Sequence, residues 1–158
     1  MRFVRVLLTL VFAWSAWKGV DLMLRSSSMD QTLFREAGLA WVFWLTAPVL
    51  VLLNALTVVY LWRPIHHGYR CAQVAVLLDI AVTAIAGVIG LMNPEVVKRA
   101  YVASRTARGL PVSNEALELM ASPAALLLTL GFPVVLGALW LFLLHRHEKA
   151  RRLEQAAA

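Results

Sequence analysis

Asp79 is the residue with the most chemistry to offer, because a carboxylate inside a long apolar run is costly there and is as a rule either functional or paired. It follows Arg70 by nine residues, which at helical rise sets it ~13 Å into a hydrocarbon layer. Asn54 precedes Trp62 by eight residues in the run before, so on an antiparallel neighbour it lies at nearly the same depth. Two chemistries fit. Asp79 can serve as a proton or cation site, or Asn54 and Asp79 can form an intramembrane polar pair, hydrogen-bonded between two helices. Spacing supports the pair. Ala72, Asp79, Ala86 and Asn93 share a stripe with Val76, Thr83 and Gly90, and Ala40, Ala47 and Asn54 mark a matching small and polar stripe. A carboxylate with no second acid, His or Lys at its depth is thin equipment for a transport pathway.

The histidines suggest a metal site and then argue against one. His66, His67, His145 and His147 fall on the same side of the expected topology, with Cys71 and Glu148 near in sequence. Adjacent histidines do not readily ligate one ion together, and His145 and His147 project from different faces of a helix, so no metal is expected. No histidine lies within an apolar run, which removes the paired axial ligands of a membrane b-type cytochrome. The single cysteine excludes an intramolecular disulfide and a Cys-x-x-Cys redox centre. There is no glycine-rich phosphate loop, no nucleophile elbow and no cluster of acids for metal-assisted hydrolysis. The chain is therefore expected to have no catalytic residues, to need no cofactor and not to be an enzyme.

The elements that position Asn54 and Asp79 are four apolar runs, at residues 3–24, 39–62, 71–92 and 124–144. Each has about the 20 residues a helix needs to cross a bilayer. Hydrophobic residues make up 61% of the chain and charged residues 15%, more apolar surface than a water-soluble domain of 158 residues can bury. The expected fold is all-α: a polytopic integral membrane protein, one transmembrane domain over residues 1–158, with four antiparallel helices and a short helical loop between the third and fourth. Lys and Arg outnumber Asp and Glu by 15 to 9, but the bases gather at the ends of the runs, as lipid headgroups require. The lipid bilayer, not nucleic acid, is the partner this implies.

Orientation follows from the loops that carry bases without acids. The amino-terminal Arg2 and Arg5, the loop at residues 63–70, and Arg146, Lys149, Arg151 and Arg152 put both termini in the cytoplasm. On the opposite side, bases are diluted by Asp21, Asp30, Glu36, Glu95, Glu115 and Glu118. Arg2, Arg5 and the apolar residues 6–14 also have the charged and apolar regions of a signal peptide. Trp14 and Trp17 fit a cleavage site poorly and the run continues to Leu24, so it is read as a span. Lys18 and Asp21, three apart, are expected to pair at the outer end of that helix.

Local signals fill in the connections. Ser28 with Gln31 forms a capping box for a short lead-in to the second helix, with Gly38 as its expected hinge. Asn93 and Pro94 open a helix that Gly109 closes, residues 114–121 form another turn or two, and Ser122 and Pro123 start the last helix. Pro48 and Pro133 sit about ten residues into the second and fourth runs, and each frees one backbone carbonyl. Lys98, Arg99, Arg105 and Arg108 in the third loop are candidate contacts for a partner or for lipid headgroups.

The function these residues point to is that of an accessory, assembly or interaction subunit of a bacterial-type inner membrane, contacting another membrane protein or a second copy of itself. The competing reading is a small oligomeric proton- or cation-linked transporter or channel centred on Asp79.

Overall fold

An apolar run in hydrocarbon has no water to satisfy its backbone, so it closes its own hydrogen bonds as a helix. The computed structural model describes residues 2–25, 28–62 and 67–156, and among them there are seven helices and no strand. They are α1 (Arg2–Leu24), α2 (Met29–Glu36), α3 (Ala40–Trp62), α4 (His67–Met92), α5 (Pro94–Ala107), α6 (Asn114–Ala121) and α7 (Pro123–Ala156). Four are long and apolar enough to cross a membrane: Phe3–Leu24, Ala40–Trp62, Tyr69–Met92 and Pro123–Arg146. The protein is an all-α helical membrane bundle, with spans close to those read from the sequence. Helix α7 runs on to Ala156 beyond its apolar run, through a stretch of Glu, Lys, Arg, Leu, Gln and Ala that favours helix without help from lipid. Helices α3 and α7 continue through Pro48 and Pro133.

The long helices pack in chain order: α1 on α3, α3 on α4, and α4 on α7, while α1 and α7 barely meet. Glycine sets two of these contacts. A Cβ on Gly19 of α1 would lie 2.5 Å from Val51 Cγ2 of α3, and one on Gly137 of α7 would lie 2.5 Å from Ile80 Cδ1 of α4. At the end that carries the chain termini, Leu8, Phe12, Leu61, Tyr69, Ala72 and Leu144 form a buried plug. Beside it, the Trp62 indole Nε1–H donates to Thr9 Oγ1 at 2.9 Å, and the Arg5 guanidinium stacks over the same indole.

Helices α2, α5 and α6 cap the opposite end. Ser28 Oγ accepts from the Gln31 N–H at 3.2 Å, which is one half of the expected capping box. The reciprocal half is missing, for Gln31 Oε1 is buried without a partner. Gly38 (φ 73°) and Gly109 (φ 65°) end α2 and α5 in the left-handed conformation. There Leu39 N–H reaches back to Phe34 O, and Leu110 N–H to Arg105 O. Ser122 Oγ accepts from Ala125 N–H and starts α7. The cap has its own core: Leu33 from α2 and Val96, Val97 and Ala100 from α5 bury against Leu126 of α7. Phe34 sits on Val42 and Phe43 of α3.

Candidate functional site: a cleft between the first and last spans

Because α1 and α7 do not pack along their length, a cleft of about 710 Å³ separates them. Leu10, Trp14, Ser15 and Lys18 of α1 form one wall, and Phe132, Pro133, Leu136 and Trp140 of α7 the other. Its floor is Val51 and Asn54 of α3 with Val76 and Asp79 of α4. The plug around Leu8, Leu61, Tyr69 and Leu144 lies beyond it toward the termini.

The antiparallel pairing of α3 and α4 brings Asn54 and Asp79 to the same cleft. They differ in setting. Asn54 is 9% exposed, whereas Asp79 stands open in the cleft. Among the described residues neither makes a hydrogen bond or an ion pair, and none joins them to each other. The Asn54 amide is not among the fully enclosed polar atoms, so it presents its polar group to the cleft beside the Asp79 carboxyl.

Two further charges act at the site, and sequence reasoning missed both. Asp30, on α2, lies close enough for its charge to act on Asp79. Lys18, on the cleft wall, acts on Asp30 in turn. The Asp30 side chain is accessible along one side but crowded by protein on most others. That burial pushes its carboxyl above the ordinary carboxylate range, and the Lys18 charge only partly opposes the shift. Asp30 could be placed only once α2 had been folded back over the bundle, and no local pattern encodes that. The expected pairing of Lys18 with Asp21 does not form: Asp21 binds Arg25 at 2.7 Å, one turn on. An acid four residues before a base is a favourable helical arrangement, and this was the legible signal.

Lys98, Arg99 and Arg105 of α5, and Arg108 at its C-cap, have partners within the chain. Lys98 Nζ lies 3.1 Å from Glu118 of α6 and 3.3 Å from Glu95. Arg99 faces Glu36 of α2 at 3.7 Å. Arg105 donates twice to the Pro111 carbonyl and lies over Tyr101, and Arg108 donates to Ser104 O and Oγ. They tie the cap together. Among the described residues no group of three or more His, Cys, Asp or Glu could hold a metal ion, and His66 lies outside those residues.

Compared with protein-family profiles, with curated proteins and with solved structures, the chain matches none. The reading of its function rests on its own geometry.

Proposed function

We propose that this is a multi-pass protein of a bacterial-type inner membrane, with both termini in the cytoplasm, that works without catalytic chemistry as an accessory or assembly subunit. It contacts another membrane protein, or a second copy of itself, through the cap. The observation that carries the reading is the core of that cap. A connector between spans needs none, yet Leu33, Val96, Val97 and Ala100 are buried there, and ion pairs fix α5 to both α2 and α6. Between them is a shallow concavity with Glu36, Arg99, Val102 and Thr106 on its surface, a rigid mixed surface of the kind partners use.

Purification from native membranes in mild detergent tests this. A stoichiometric protein partner is expected, and Val102→Glu should lose it while the bundle stays folded. Equal recovery with Val102→Glu would remove the cap from the interface.

A second reading, a proton- or cation-linked carrier, draws on the openness of Asp79 in the cleft. Proteoliposome flux distinguishes the two. The accessory reading expects no flux and full partner recovery from Asp79→Asn. Robust proton-coupled flux that the same change abolishes would establish the carrier.

A further inference from the structure

We infer that the cleft between α1 and α7 is a binding site for a hydrophobic monocation, with Asp79 as its counter-charge and Asn54 as its second polar contact. The assignment concerns what the cleft holds, and it stands whether the protein serves as a subunit or as a carrier.

Size and lining come first. About 710 Å³ lies within the range of small-molecule sites, which are mostly apolar with a few convergent polar groups. Here the walls offer Leu10, Trp14, Phe132, Leu136 and Trp140, and aromatic faces attract cations as well as apolar bodies. The polar groups converge at the floor. Asn54 is more than nine-tenths buried and unbonded among the described residues, and Asp79 is likewise without a hydrogen bond or ion pair there.

Charge decides the sign of the occupant. Asp79 at the floor and Lys18 on the α1 wall are the charged residues that line the cleft, and no ion pair joins them among the described residues. Asp79 therefore faces the floor of the cleft without an ion-pair partner among the described residues, and a cation seated there would meet it directly. Ordinary bilayer lipid does not resolve this, because its headgroup stays at the interface while Asp79 lies ten residues along its span from Tyr69. The charge must be carried to that depth by an apolar body. The plug of Leu8, Leu61, Tyr69 and Leu144 stops such a body from passing through.

Tetraphenylphosphonium and tetraphenylborate form a test pair of matched shape and opposite charge. Their binding to the full chain in lipid nanodiscs can be followed by quenching of tryptophan fluorescence, with protein-free discs correcting for partition into lipid. The phosphonium should bind saturably and the borate should not. Asp79→Asn should weaken the phosphonium by roughly tenfold or more, the loss expected when a charged contact becomes neutral, and Asp79→Glu should retain it. Ser15→Leu narrows the cleft from the α1 wall without touching the acid or adding an aromatic ring and should weaken binding as well, which keeps the test decisive if Asp79→Asn does not fold. Equal binding of the two ions, or binding indifferent to both Asp79→Asn and Ser15→Leu, would overturn the assignment.

Discussion

Gly137 of α7 and Ile80 of α4 meet so closely that any side chain on the glycine would share space with the isoleucine: a Cβ would lie 2.5 Å from Ile80 Cδ1 and 2.9 Å from Cγ1. Gly131, six residues earlier on the same helix, has nothing within 4 Å of the same position. Small residues that let backbones approach are a main source of helix association in lipid, where no hydrophobic effect drives it. Gly137→Val should therefore cost about 1 to 3 kcal/mol through overpacking, while Gly131→Val should be near neutral. Thermal unfolding of the two variants in one detergent compares them directly. Equal melting temperatures would mean that the α4–α7 contact is not set by Gly137.

Asp30 gives a pH-dependent prediction. Burial raises its carboxyl pKa in the folded state, so the folded protein binds this proton more tightly than the unfolded chain does. Stability from this group is then greatest at low pH, falls as pH rises from the ordinary carboxylate value through the raised one, and is level above it. Asp30→Asn removes the penalty. It should melt slightly above the parent at pH 7.5, by about a degree or two at most because Asp30 keeps an exposed face, and together with it near pH 3.5. Lys18→Met, which removes the opposing charge, should move the parent in the other direction at pH 7.5. A parent more stable than Asp30→Asn at pH 7.5 would show that the Lys18 attraction outweighs burial.

Span positions and helix boundaries were legible because each depends on residues within a turn or two. Ser28, Gly38, Gly109, Ser122 and Pro123 act locally, and the structure uses each where its chemistry says it should. Depth was legible too, since it needs only a count of residues, and Asn54 and Asp79 do share one cleft. The cleft itself was not. It exists because α1 and α7 fail to pack, a relation between helices more than 100 residues apart that no periodicity records. The roles of Lys18 and Asp30 depend on that same arrangement. The α5 bases were hidden for a related reason: Glu36 and Glu118 lie on other helices, and their approach follows from the cap's fold.

Lys98 is the junction of the cap. Hydrogen bonds from its ammonium to Glu118 and then Glu95 hold its pKa above the ordinary lysine value, and the Glu118 contact is what links α5 to α6. Lys98→Met should speed amide hydrogen exchange over residues 114–121 and leave α4 unchanged, since α6 has few other restraints. Glu118→Gln should do the same to a smaller degree. High salt should narrow the difference, as it does for exposed pairs. Unchanged protection of α6 in Lys98→Met would mean that apolar contacts alone hold that helix.

Topology offers the most direct test of the membrane arrangement. The ends of α3 and α4 near Leu61 and Tyr69 join the plug beside the termini, whereas Gly109 closes α5 in the cap, at the far end of four alternating helices. The loop at residues 63–70 is basic without an acid, so it should be cytoplasmic, and the cap should lie outside. A reporter active only outside the cytoplasm should be silent when fused after Gly68 and active after Gly109, and a cytoplasmic reporter should give the reverse. Opposite signals with the sides exchanged would keep the bundle and invert its orientation. The same signal at both positions would sink the four-span arrangement, since an even number of crossings cannot separate two points that the helices place at opposite ends.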